Sequence, residues 1–185
     1  MSTKLVTGEV RASYVNVFEK RVNEADGKSA YSMMLLVPKS DTATVAAIKA
    51  ACAEAITNQY GTKKPTGKFR DDPLRDGDDE RPDLPEYKNC WFINTKSTMV
   101  KPKVVKAMGG KWVELEHSED FTSGDYCKVS LNAYTYKGKS NGVTLGLGNI
   151  MFTKGGDPLG ASTRPEDDFG EAPASDGLGD QEFPF

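Results

Sequence analysis

The stretch KSTMVKPKVVKAMGGKW, residues 96–112, holds five lysines, Lys96, Lys101, Lys103, Lys106 and Lys111, and no acid occurs between Cys90 and Val113. Cations unrelieved by carboxylates, close in sequence to Trp91, Phe92 and Trp112, suit a surface that tracks phosphates and stacks bases. A second set lies in DYCKVSLNAYTYKGK. Strand alternation there sends Cys127, Val129, Leu131 and Ala133 to one face and Tyr126, Lys128, Ser130, Asn132, Tyr134 and Tyr136 to the other. The apolar face must be core. Lys128, Tyr134 and Tyr136 then face solvent, with Lys137 and Lys139 in the turn beyond, and stacking a base on an exposed ring is worth ~1–3 kcal/mol. In CWFINTK alternation sets Trp91 and Ile93 opposite Phe92 and Lys96, so one of the two aromatics belongs to the core, and the pattern leaves open which.

GTKKPTGKFR places Lys63, Lys64, Lys68 and Arg70 around Phe69. It departs from a phosphate-binding P-loop: five residues separate Gly61 from Gly67, and Phe69 stands where a magnesium-binding hydroxyl belongs. Nucleotide binding is excluded, and a basic flap over a nucleic-acid groove remains.

The carboxylates of DDPLRDGDDERPD invite a metal reading. An EF-hand begun at Asp72 places Asp76 and Gly77 correctly, but Leu74 fails at the third position and Asp83 replaces the closing glutamate. A metal-dependent nuclease or recombination enzyme built on residues 71–86 is the alternative reading. Ion pairs of Arg75 and Arg81 with neighbouring aspartates in a folded loop account for the same residues more simply. The single histidine, His117, sits in a polar turn with no nucleophile motif, so no catalytic residue, metal or cofactor is expected. Cys52, Cys90 and Cys127 are odd in number and far apart, which fits buried thiols in a reducing cytoplasm.

Net charge is −3, yet residues 156–185 carry eight acids against one base. A further eight acids and two bases fall in residues 71–86. What remains of the first 155 residues is strongly basic, which points towards nucleic acid where the whole-chain balance points away.

The hydrophobic pattern predicts strands at residues 4–18, 30–37, 90–96, 111–116, 125–136 and 142–152, with hairpin turns at Asp26-Gly27 and at KGKSNG. Ser40 or Asp41 starts an alanine-rich helix over about residues 41–60, with Val45, Ile48, Cys52 and Ile56 on one face and Gly61 at its end. Residues 61–89 read as a long loop. One helix among five or six strands makes a mainly β chain forming a small barrel over residues 1–154. Residues 155–185, rich in glycine and proline and poor in aliphatics, read as a disordered acidic tail. No apolar stretch is long enough to span a bilayer, and no signal peptide is expected.

VRASYVNVFE, PLRDGDDERPDLPEYKNCWFIN, SGDYCKVSLNAYTY, GVTLGLGNIMF and GDPLGASTRPEDDFGE together resemble a tailed-phage family that was first catalogued as a domain of unknown function and includes single-stranded DNA-binding proteins. The resemblance covers nearly the whole chain. It implies an OB-fold, and a sequence-independent coat on single-stranded DNA in replication, recombination or repair, without catalysis. It adds Arg75 and Trp91 to the candidate contacts, which are then Lys68, Phe69, Arg70, Arg75, Trp91, Lys96, Lys101, Lys103, Lys128, Tyr134, Tyr136, Lys137 and Lys139. The ending also resembles the acidic tails of such proteins, with Phe183 and Phe185 as the residues offered to a replication or recombination partner.

Overall fold

The computed structural model describes residues 2–159. Among them are ten strands: β1 (Lys4–Val6), β2 (Val10–Val22), β3 (Ser29–Pro38), β4 (Phe69–Arg70), β5 (Arg75–Asp76), β6 (Cys90–Ser97), β7 (Val104–Met108), β8 (Lys111–Leu115), β9 (Tyr126–Tyr136) and β10 (Asn141–Lys154). The helix α1 spans Thr42–Tyr60, and a single helical turn, α2, spans Gly77–Glu80.

Five of the strands close on themselves. β2 pairs with β3, β3 with β6, β6 with β10, β10 with β9, and β9 with β2 again. All these pairs are antiparallel except β6 with β10, which is parallel at Lys96 and Gly146. In chain order the barrel strands are β2, β3, β6, β9 and β10, which gives an OB-like barrel. The other five are additions: β1 lies on β9, the two-residue β4 and β5 pair with β10 and β6, and β7 joins β10 and carries β8 as a hairpin.

Alternation fills the interior. Val10, Ala12 and Val17 of β2, Met33, Leu35 and Val37 of β3, Cys127, Val129 and Leu131 of β9, and Val143, Leu145 and Ile150 of β10 are all buried in one cluster. Ile48, Ala51, Cys52 and Ala55 of α1 join that cluster, alanines letting the helix approach closely. Asp41 caps the helix, its carboxylate accepting from the Thr44 N–H at 3.1 Å and the Thr44 hydroxyl at 2.6 Å. The buried helical face is centred on Ala51 and Cys52, with Val45 and Ile56 at its half-buried margins. Burial pushes the Cys52 and Cys127 thiols up to about 12.

Three sequence readings need correction. The expected single strand over residues 4–18 is two strands, since the chain leaves β9 after Val6 and returns as β2 at Val10. Residues 61–89, expected as a long loop, contain β4, β5, α2 and a 3₁₀ turn at Pro85–Tyr87. The middle of the lysine-rich stretch forms β7, turned into β8 by Gly109 and Gly110, both at positive φ (56° and 75°). Residues 160–185 of the expected acidic tail, with Phe183 and Phe185, lie outside the described residues.

Candidate nucleic-acid interface

Along β10 the buried Val143, Leu145 and Leu147 alternate with the half-exposed Thr144, Gly146 and Gly148. The outward row is therefore nearly bare, and it makes the floor of a trough. At Gly148 the bareness is obligatory, because a Cβ would stand 2.3 Å from the Ser130 hydroxyl and 2.7 Å from the Ser130 carbonyl oxygen. At Gly146 a Cβ would meet the Tyr134 ring, its Cε1 at 3.4 Å, and the Asn132 carbonyl oxygen at 3.5 Å, without collision.

Residues in register share a face of the sheet. Asn16, Ser32, Lys96, Gly146, Asn132 and Lys4 follow one another across five strands of the barrel and β1. This lateral row is polar from end to end, and Lys4, Lys96 and Asn132 are exposed. Over it lies a cleft of 770 Å³ walled by Leu5, Met99, Val100 and Tyr134. A second cleft, of 520 Å³, shares Lys96 and Thr98 with the first and reaches Arg21 and Lys28 at the β2–β3 turn. A third shares Asn94 with the second and is bounded by Arg70, Tyr136 and Thr144. The three make one trough over β6 and β10, on the strand face and beside the turns by which OB-folds hold oligonucleotides.

Five of the sequence-predicted residues line this trough, Arg70, Arg75, Lys96, Tyr134 and Tyr136, and others lie towards its ends. Tyr134 and Tyr136 stand on its β9 wall, and burial pushes the Tyr134 phenol pKa up. At one end β4 pairs with β10 through Phe69↔Asn141 and Arg70↔Gly142, which carries the basic flap up to the β9–β10 turn. Lys68, Arg70, Lys137 and Lys139 therefore meet there. Phe69 is spent in part on packing: its ring lies edge-to-face with Tyr60 at 5.7 Å, and the Lys64 and Lys137 ammoniums cover the two rings. At the other end Lys103 follows Asn149, whose side-chain oxygen accepts the Lys103 N–H at 3.2 Å, and Lys128 faces outward from β9.

Two predicted residues, Trp91 and Lys101, are placed apart, and Arg75, on the wall of the third cleft, is held by other partners. Trp91 turns to the interior side of β6, half-buried against the barrel core, with the Lys39 ammonium 4.9 Å from its ring. Arg75 lies over Phe92 at 4.7 Å and is paired with Glu80, its Nε donating at 2.8 Å. Lys101 shares a cleft with Glu19, Glu116 and Glu119, which offset its charge.

The acidic block builds structure. Phe92, outward on β6, is buried with Leu36 and Tyr87 in a second small core, and its ring meets Tyr87 edge-to-face at 5.2 Å. Gly77 permits this cover, since a Cβ there would lie 2.3 Å from the Tyr87 carbonyl oxygen. Lys39 donates to Asp76 at 2.6 Å and to Asp78 at 2.7 Å, and Asp78 also accepts the Asn89 N–H at 2.9 Å. These bonds from Lys39 hold both carboxylates below their usual range and raise the pKa of the lysine. Asp71 pairs with Lys64, and Asp72 accepts the Leu74 N–H. Among the described residues no three carboxylate, histidine or cysteine side chains converge as metal ligands.

Lys4, Asn94, Ser32, Met99 and Val100 line the trough and are absent from the sequence-predicted contacts. The legible signal for them was the alternate small residues of GVTLGLG, which mark a face kept free of side chains. Among the described residues no helix is long and apolar enough to cross a membrane.

A family model described as the single-stranded-DNA-binding protein of Enterobacter phage Enc34 matches residues 3–179. The solved single-stranded DNA-binding protein from bacteriophage Enc34, in complex with single-stranded DNA, superposes with a TM-score of 0.73 at 22% identity, covering 85% of this chain and 90% of that one. Gp2.5, a single-stranded DNA-binding protein encoded by bacteriophage T7, superposes with a TM-score of 0.60 at 16% identity, covering 92% of this chain and 96% of that one. A putative protein p50 of Acyrthosiphon pisum secondary endosymbiont phage 1 is 26% identical over 161 residues, which is 83% of this chain and 85% of the relative. By the extent of the family match, the chain belongs to the Enc34 phage family of single-stranded-DNA-binding proteins.

Proposed function

We propose that this protein coats single-stranded DNA without sequence preference during phage DNA replication, recombination or repair, in the cytoplasm of the infected cell, and that it is not an enzyme. The observation that carries this reading is the trough itself. Its floor of Thr144, Gly146 and Gly148 admits flat bases, its β9 wall offers Tyr134 and Tyr136, and Lys4, Lys96 and Arg70 stand at its edges. Polar groups of mixed kind in the lateral row fit backbone tracking better than recognition of one base. Duplex DNA, its bases stacked internally, cannot use the rings.

The acidic tail enters this reading as a tethered competitor for the trough, displaced by DNA and then free to offer Phe183 and Phe185 to a partner protein. Its root supports the idea. Arg11 donates to the Asp157 carbonyl at 2.7 Å, the Leu159 N–H donates to the Ser123 carbonyl at 3.1 Å, and the Leu159 side chain packs on the Leu36, Tyr87 and Phe92 cluster. The chain thus leaves the barrel on the outer side of β3 and β6, beside the third cleft.

The test is anisotropy of labelled oligothymidylate at several salt concentrations, with magnesium or manganese present in one arm. The reading expects an intact strand and log K falling with log salt by about 0.7 per phosphate neutralised. It also expects tighter binding once residues 160–185 are removed. A cleaved strand would move the protein to the nuclease class.

A further inference from the structure

The β7–β8 hairpin leaves the barrel with Trp112 66% exposed, too much for a ring with a packing role. The register shows which way that ring faces. Val104 is buried in the barrel core and pairs with Leu115, so Val105, Ala107, Trp112 and Glu114 occupy the opposite face of the hairpin. Val105 pairs with Met151 of β10, and Met151 with Lys128 of β9, and Lys128 points outward two residues from Ser130, which flanks Gly148 on the trough floor. One sheet face therefore runs from Tyr136, over Gly146 and Gly148, across the irregularity between Leu147 and Ile150, past Lys128 and out to Trp112. Lys103 sits at the joint, beside Asn149. Lys106 and Lys111 stand on the hairpin's other face, and Glu114 is the one carboxylate of the hairpin on the Trp112 face.

We infer that the β7–β8 hairpin is an arm that extends the single-strand track beyond the barrel, with Trp112 stacking a base and Lys103 and Lys128 meeting the phosphates between trough and arm. The occupant is single-stranded DNA, because the face is continuous with the proposed trough and carries cations along the join. This inference rests on that reading of the trough and adds a second contact zone to it. Oligonucleotides long enough to reach the arm should gain affinity from it. Those confined to the trough should not.

The experiment compares oligothymidylates of about 6 and about 20 nucleotides, which bracket the roughly 4–16 nucleotides held by one OB-fold. Full-length wild type, Trp112→Ala and Trp112→Phe are titrated at one salt concentration, with sedimentation of each free protein alongside. Loss of one stacked base should weaken Trp112→Ala binding of the long strand about 5- to 150-fold, leave the short strand unchanged, and be largely restored in Trp112→Phe. In a Trp91→Phe background, where Trp112 is the remaining tryptophan, the long strand should quench fluorescence and the short one should not. Equal affinity of wild type and Trp112→Ala for the long strand overturns the arm. So does a change in self-association with DNA binding intact, which would assign the exposed ring to a second copy. Failure of wild type to bind the short strand would instead overturn the trough, so the two failures are distinct.

Discussion

Gly146→Val is the sharpest perturbation of the trough. A Cβ at this position lies 3.4 Å from Cε1 of Tyr134 and 3.5 Å from the Asn132 carbonyl oxygen, ordinary contact distances, and it points away from the barrel core. The fold should tolerate the change, and a β-branched residue is favoured over glycine in a strand by up to ~1 kcal/mol. The two methyl groups, however, stand on the floor between Lys96 and Tyr134, where a base would lie. Displacing one base from a ring costs ~1–3 kcal/mol, which is about a 5- to 150-fold loss of affinity. Anisotropy with labelled oligothymidylate measures the loss, and thermal unfolding of the same sample confirms the fold. Gly148→Ala is the contrast: its Cβ collides with Ser130 backbone and hydroxyl at 2.7 and 2.3 Å, so it should lower Tm, with overpacking of this kind costing ~1–3 kcal/mol. A folded Gly146→Val protein that binds as tightly as wild type would refute the placement of DNA on β10.

Other outcomes follow from the same geometry. Lys96→Ala should lessen the steepness of the log K against log salt plot by about 0.7, one phosphate contact, and an unchanged slope would remove Lys96 from the track. Phe92→Ala should destabilise the protein by ~3–5 kcal/mol, because the ring is fully buried in the second core, and its Tm measures a structural role that a DNA-contact residue would not show. Asp76 and Asp78 have pKa values lowered in the folded state by their bonds to Lys39, so they stabilise the fold above the ordinary carboxylate range. That contribution should fall away as pH drops through their depressed values. Urea unfolding followed from pH 7 downward should show the loss in wild type and a smaller one in Lys39→Met.

Much of this molecule was legible before its coordinates, and the exceptions share a cause. Alternation in β9 identified which residues face inward, and the Asp41 cap with Gly61 bracketed α1. Alternation fixes the parity of a strand but says nothing of what covers its outer side. Phe92 is outward by parity and still buried, because residues 71–89 fold back over it. Trp91 has inward parity and is half-buried, so a residue type that favours stacking is spent on the barrel. Lys101 reads as part of a cationic run, yet carboxylates distant in sequence are its neighbours. The hairpin at Gly109-Gly110 did have a local signal, a diglycine between two β-rich segments. Closure of the barrel had none, since it depends on a parallel pairing of β6 with β10, some fifty residues apart.

Backbone amide chemical-shift mapping with a short oligothymidylate examines the placement of the ligand most directly. The account predicts shifts concentrated at Ser32, Asn94, Lys96, Asn132, Tyr134, Thr144 and Gly146, with the amides of α1 unmoved. Shifts gathered on α1, or spread evenly over the barrel, would contradict it.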